Sequence, residues 1–553
     1  MSVSIDFGTA FSRVAYCSSH VAGGIVEQIP TCLLYDDAGR VLARGLEAKH
    51  AIPMPATVIC ERFKLFLEPS ALRDDIVDPR LPKLPSGKKA VDLIIDFLTC
   101  LWDYARERIT QEIDVVADLN SADVWLTVPA TWDTKGCRTM RDAAIQAGLV
   151  GAASADDRDW RDRLHIITES EAAAVHCTRL TNFRQLRSSQ NFMICDAGDT
   201  VDLTVYKIIG SLQNFEIAEM CACSRSNCGS LLDLKFKELV RTLLADHPVH
   251  LEPDSLEYFT YAFNETGKLE YLGESNDGDM FYFTCFNVED PDDPSVGLVN
   301  GDLALPGNLL RREVFDPVIE QVLNLIESQT RRVDQRIDAL LLVGGFSGSE
   351  YLFRRMNETF GSRIKVIARP SDADTATCRG AAQLGLPGHP LVSSIIVPRS
   401  YIMGVSLPVE PEDWQRPQAY ITENDAGDHI CENRLQYFVS KGAILRRGQR
   451  VRAKCRKFSS TPRDFLFVAM FYATDSDKIM RYTDELAGEM YTLARWTVDL
   501  TNLPNFQQHA NNPQPGGFYT DFEIGLELDS AEIRGVILYH GYDYGQVTLD
   551  LLV

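Results

Sequence analysis

Two stretches of the chain are written to one plan. "SVSIDFGTAFSRVAYC", residues 2 to 17, and "NFMICDAGDTVDLTVY", residues 191 to 206, share it. Each is an apolar strand ending at Asp-x-Gly, a turn through Thr, and an alternating strand. Alternation with period two marks a strand with one face buried. A short Gly-bearing turn folds two such strands into a hairpin. A further antiparallel strand is expected after each, "GIVEQIP" after the first and "NFEIAEM" after the second. Two hairpins of one design predict an internally duplicated α/β fold, each half carrying one Asp-x-Gly turn.

Three segments between and after the hairpins fill in the plan. "ADVWLTVPATWDTKGCRTMRDAAIQAGL", residues 122 to 149, reads as a strand, a Pro-marked turn and a helix stopped by Gly148. "LHIITESEAAAVHCTRL", residues 164 to 180, is a strand entering a helix through Glu169 and Glu171. Acidic residues are favoured in a first helical turn, so a capping role competes for either glutamate. In "IDALLLVGGFSGSEYLFRRMNETF", residues 337 to 360, "ALLLV" is an unbroken apolar run, as of a strand covered on both faces. Gly344 and Gly345 follow, and Ser347 or Ser349 can cap a helix bearing Leu352, Phe353 and Met356. Strand, glycine pair and helix form a place where backbone can approach a ligand closely.

At 553 residues the chain exceeds one core; about 150 residues per domain predicts about three or four units. The net charge of -23 argues against broad nucleic-acid or anionic-membrane binding, which needs a basic face. A small anionic ligand in a locally positive pocket remains compatible. The start "MSVSIDFGTA" has no charged n-region or apolar h-region, and no run approaches the ~18 apolar residues of a membrane span. The 14 scattered cysteines then read as free thiols of a cytoplasmic protein. "CACSRSNC", residues 221 to 228, offers three sulfurs where structural zinc wants four ligands, so thiols are expected there too. After residue 386 the texture changes. "LPGHPLVSSIIVPRS" reads as a linker, and short alternating stretches such as "RVRAKCRKF" and "DFLFVAMFYA" predict an antiparallel β-sandwich.

The order Asp-x-Gly-Thr hairpin, "VPATW" helix, "TESEAAA" helix, second Asp-x-Gly hairpin, "LLVGGFSGS" and β-rich tail resembles the seventy-kilodalton heat-shock protein family. It is most similar to its divergent twelve-type and fungal members, through "DAG", "TVDLTVY" and "NRLQYFVSKG". The resemblance implies an actin-like, ribonuclease-H-like duplicated nucleotide-binding domain of two lobes over residues 1–386. A linker at 387–400 and a β-sandwich substrate-binding-like domain at 401–553 follow. ATP or ADP would lie between the lobes. By the same resemblance Gly8, Thr9, Ala10 and Phe11 match the first phosphate loop. Asp6 and Asp196 match the pair that holds hydrated Mg²⁺. Lys64 matches the lysine that positions the attacking water, and Glu169 the glutamate of the inter-lobe helix. Gly198, Asp199, Thr200 and Asp202 match the second phosphate loop, and Gly229 and Ser230 a helix start near the phosphates. Glu265 and Lys268 match adenosine contacts, Gly344, Gly345 and Phe346 the purine and ribose loop, and Asp374 a polar position nearby. Client polypeptides are the implied partners.

The departures from the pattern bear on activity. The second loop is one residue shorter than the family's Asp-x-Gly-Gly-Gly-Thr-x-Asp, and Asp199 replaces a further glycine. Glycine permits positive φ and close phosphate approach. A carboxylate aimed at a γ-phosphate repels it by about 1 to 4 kcal/mol at ~4 Å. Leu269 and Leu272 stand where the family has Arg and Ser around adenine. The linker lacks the family's apolar-acidic coupling segment. The family's helical lid is not expected, because the sequence runs out in "GQVTLDLLV". Two readings follow: a slow Mg²⁺-dependent ATPase with chaperone-like client binding, or a non-hydrolysing interaction module. A sugar-kinase-like phosphotransferase is a third, opposed by the β-rich tail.

Overall fold

The computed structural model describes residues 1–553 except 19–23, 52–53, 56, 68–82, 114–118, 133, 155–156, 158–159, 181–182, 199, 210–216, 224–227, 288–291, 334, 387–391, 398, 416–419, 424–426, 486–489, 513–515, 530 and 552–553. The chain divides into two compact units, Met1–Leu391 and Val392–Val553.

The first unit is mixed α/β and repeats one strand order. Strands β1 (Ser2–Asp6), β2 (Phe11–Cys17), β3 (Gly24–Pro30), β4 (Asp123–Val128) and β5 (Leu164–Thr168) form a sheet in the order β3-β2-β1-β4-β5. Strands β6 (Asn191–Ala197), β7 (Val201–Ile208), β8 (Ile217–Cys223), β9 (Ala339–Val343) and β10 (Val366–Ala368) lie in the order β8-β7-β6-β9-β10. In both sets the hairpin and its third strand are antiparallel. In both, two strands are added in parallel on the far side of the Asp-bearing strand. The parallel strands are covered on both faces, which is why "ALLLV" is buried throughout.

A helix follows the last strand of each set. Helix α1 (Glu169–Cys177) follows β5 and packs on β6 and β7 of the second set. Helix α2 (Ala376–Leu384) comes after β10 and packs on β1, β2 and β4 of the first. Each helix thus fastens its own sheet to the other one. The two cross so closely that a Cβ on Gly380 would lie 1.8 Å from the Ala172 carbonyl oxygen, which only glycine avoids. Ala172, Val175, Ala381 and Leu384 join Trp125 and Ile167 in one buried cluster at the crossing.

The capping residues fall where local rules put them. Thr168 caps α1 by accepting from the Glu171 amide, so Glu169 is not the cap. Ser349, rather than Ser347, caps the helix Glu350–Phe360. Gly148, at φ +77°, follows the end of the helix Thr134–Gln146.

The second unit is almost wholly antiparallel. Strands at 421–423, 429–439, 400–408, 466–474, 490–499 and 548–551 make one sheet, and strands at 450–459, 518–528, 533–539 and 542–546 another. Phe438, Phe471 and Trp496 pack together in its core, and Phe467 of one sheet meets Phe522 of the other at 5.2 Å. A helix at Pro504–Asn511 interrupts the strands. Within the stretch expected to be a linker, Val392–Ile396 is a strand, pairing with Ile444–Arg446. The strand Met490–Asp499 is an addition to those expected. Among the described residues no helix is long and apolar enough to cross a membrane.

Candidate functional site

The first Asp-x-Gly turn is held in shape from the side. Asp6 ends β1, opposite Arg13 on β2 and level with Thr127 on β4. The Thr127 hydroxyl donates to Asp6 Oδ1 at 2.8 Å. Thr31 pins the loop that follows: its amide donates to the Ala10 carbonyl at 2.8 Å and its hydroxyl to the Gly8 carbonyl at 2.9 Å. A Cβ at Gly8 would lie 2.0 Å from the Phe11 carbonyl oxygen, so this tight turn requires glycine.

The second Asp is seated against the glycine pair. Asp196 lies on β6 opposite Asp202 of β7. Gly344, at φ +91°, would place a Cβ 2.2 Å from Asp196 Oδ1. Both the backbone conformation and the close approach demand glycine there. Thr377, at the start of α2, donates to Asp196 Oδ2 at 3.5 Å. A Cβ on Gly345 would meet nothing within 4 Å, so this glycine faces open space. Across the turn the Gly198 amide donates to the Thr200 carbonyl at 2.9 Å, and the Thr200 hydroxyl to Asp202 Oδ2 at 3.5 Å.

Lys64 and Glu169 meet between these turns. Lys64 sits in a 3₁₀ turn, Phe63–Leu67, and is buried. It donates to Glu169 Oε1 at 2.7 Å, and its ammonium lies 5.8 Å and 5.6 Å from the ring centres of Phe7 and Trp132. Burial pushes the Glu169 carboxyl up to about 7; Lys64 draws it down, while the charges of Asp6 and Asp202 push it further up. Asp196 is held well above the usual carboxylate range, first by its enclosure and then by Glu169, Asp202 and Asp6. Asp196 keeps partial exposure, which moderates the effect. Asp6, Lys64, Glu169, Asp196 and Asp202 therefore share one electrostatic site, although they come from four separate segments.

Other expected residues lie differently. Phe346 is buried in the hydrophobic core, so only its backbone is free to face a ligand. Glu265, in the π-helical turn Phe263–Gly267, and Asp374 are exposed. Lys268 is tied to Asp233 at 3.2 Å. Gly229 and Ser230 fall in the first turn of the helix Cys228–Leu243; their side chains, like those of Cys221, Cys223, Cys228 and Leu269, lie outside the described residues. Asp199 lies outside them altogether. Leu272 is exposed. Arg13, Thr127 and Thr377 join the site without having been expected. The signal for Thr127 was a polar residue at a strand position between apolar ones, in "WLTVPA"; Arg13, which follows Ser12 in "SRVAYC", gave no such signal.

The carboxylates of Asp6, Glu169, Asp196 and Asp202 outnumber the two cations beside them, Lys64 and Arg13, which leaves the site short of positive charge. Their hard oxygen donors suit Mg²⁺. No three His, Cys, Asp or Glu residues among those described converge closely enough to hold a metal ion directly. An ion here would keep its waters, which Mg²⁺ does readily, so the donor set fits hydrated Mg²⁺.

No family model matches the chain. Curated relatives do. The chain is 24% identical to human heat shock 70 kDa protein 12B over 81% of its own length and 77% of that protein's. It is 24% identical to mouse heat shock 70 kDa protein 12A, over 90% of the chain and 85% of the relative. The human 12A protein matches at 23% with the same coverage. With similarity along most of its length added to the order of its motifs, the chain is a divergent relative of the heat shock 70 kDa protein 12 family.

Proposed function

We propose that the first unit is an actin-like, two-lobed nucleotide-binding domain that takes ATP or ADP with hydrated Mg²⁺ between its lobes. The observation that carries this reading is the gathering of Asp6, Lys64, Glu169 and Asp196 into one site beside glycine-dependent turns. The backbone around Gly8 and Gly198 receives phosphate oxygens, and Gly345, open on one side, admits the nucleoside. Asp6 and Asp196 would hold the ion through its waters, and the chemistry it would supply is neutralisation of phosphate charge. Lys64, fixed by Glu169, orients a water for attack on the terminal phosphate. A Glu169 carboxyl poised at about 7 can take up a proton near neutral pH. Turnover is slow, because the second loop has lost glycines that would bring its amides to the γ-phosphate. The second unit, a β-sandwich in this reading, binds extended client polypeptide.

The shortened second loop favours an alternative, a nucleotide-binding module that does not hydrolyse. Calorimetric titration with ATP and ADP, with and without Mg²⁺, tests the common part: no binding of either nucleotide under any condition refutes both. Single-turnover measurement of phosphate release then separates the two.

A further inference from the structure

We propose that Arg13 is a resident counter-cation of this site, and that it makes nucleoside diphosphate binding largely independent of a divalent ion. The inference rests on the nucleotide reading and goes past it, because Arg13 belongs to no Asp-x-Gly motif.

The repeated strand order exposes the residue. Across from the Asp of the second hairpin stands Asp202; across from the Asp of the first stands Arg13. Directly opposite residues of an antiparallel pair project from the same face, so Arg13 lies on the side of the sheet that Asp6 and Thr127 share. Its Nη1 is 4.0 Å from Asp6 Oδ2, a loose pairing, and its Nη2 donates to Gln28 Oε1 at 3.0 Å. The residue is only 9% exposed, and its Nε has no hydrogen-bond partner. A guanidinium does not shed its charge, and an unmet buried donor is unfavourable. Lys64 is committed to Glu169. Of the two cations described at this site, Arg13 is thus the one whose charge is less taken up, on the wall beside a loop that in this reading faces phosphate. Planar N–H donors match phosphate oxygens. The same charge repels a divalent cation held through Asp6.

These two effects have opposite signs, and calorimetry separates them. Wild-type protein is titrated with MgCl₂ alone, and with ADP in the presence of Mg²⁺ or of a chelator. The expected wild type binds Mg²⁺ weakly and changes its ADP affinity only a few-fold on chelation. Arg13→Gln should bind Mg²⁺ alone at least about tenfold more tightly, the screened end of the Coulomb range between a single and a double charge. It should lose about tenfold in ADP affinity when Mg²⁺ is absent and recover it when Mg²⁺ is present. Arg13→Lys keeps the charge and should follow the wild type, which also serves if the Gln variant does not fold. Unchanged Mg²⁺ affinity in Arg13→Gln, or strong Mg²⁺ dependence in Arg13→Lys, overturns the proposal. If no nucleotide binds the wild type, the nucleotide reading fails, and the MgCl₂ arm still decides the role of Arg13.

Discussion

Replacing Glu169 with Gln should make the first unit more stable above neutral pH, an unusual outcome for removing half of a buried ion pair. The carboxyl has an ordinary value of 4.5 and a folded value of about 7, raised chiefly by burial and lowered in part by Lys64. Because the folded value is the higher one, stability is full below pH 4.5 and is lost as pH rises through about 7. At ~1.4 kcal/mol per pH unit, ionising Glu169 in the fold costs on the order of 3 kcal/mol. Gln copies the protonated form, in which Lys64 also lacks an ionised partner, so the variant does not suffer that loss. The two proteins should coincide near pH 4.5, and the variant should gain up to about 3 kcal/mol by about pH 8. Spread over Met1–Leu391 at ~2.1 cal/mol/K per residue, that is a rise of about 4 °C in the unfolding midpoint. Thermal unfolding followed by circular dichroism across the pH range reads it. Asp196, also raised, leaves the variant a residual slope of the same sign. A variant whose stability runs parallel to the wild type over pH 5 to 8 would mean that Glu169 ionises freely in the fold, and the reasoning fails.

Three further outcomes follow from contacts elsewhere. Gly380→Ala drives a methyl into the Ala172 carbonyl where α1 and α2 cross; it should destabilise the first unit by about 3 kcal/mol or more in urea unfolding, since overpacking of a rigid backbone contact is not relieved locally. In the second unit the fully buried Asp413 accepts from Arg434 Nη1 at 2.8 Å and from the Tyr482 hydroxyl at 2.5 Å. Asp413→Ala leaves Arg434 buried without this partner and should cost about 3 to 5 kcal/mol, read as faster amide exchange in residues 400–551 but not in the first unit. Asp199→Gly should strengthen ATP binding relative to ADP, by about tenfold if the carboxylate faces the γ-phosphate; an unchanged ratio by calorimetry excludes that orientation.

How much of this was legible in the sequence depends on the range of the signal. The hairpins announced themselves because alternation and a glycine turn are local, and β3 begins and ends where "GIVEQIP" does. The strand Val392–Ile396 was not legible: among prolines, a short apolar run reads as a break, and its partner, Ile444–Arg446, lies far along the chain. The strand Met490–Asp499 was legible in principle, since Ala494, Trp496 and Val498 alternate inward with Arg495, Thr497 and Asp499 between them.

The site itself divides along the same line. Composition of a first helical turn could not choose between capping and pairing for Glu169, because both place an acid there. The fold chooses through a neighbour: Thr168 already satisfies the Glu171 amide. The Glu169 carboxylate is then left to Lys64, which stands 105 positions away in sequence and 2.7 Å away in space. Arg13 carries the same lesson. In "SRVAYC" it is one polar residue in an alternating strand, indistinguishable from a solvated one. Only registration opposite Asp6, and the comparison with Asp202 at the matching place of the second hairpin, turns it from a surface charge into a buried member of the site. A repeated strand order thus supplies its own control: two hairpins share a frame, and the residue at which their charges differ is where the two have taken different parts.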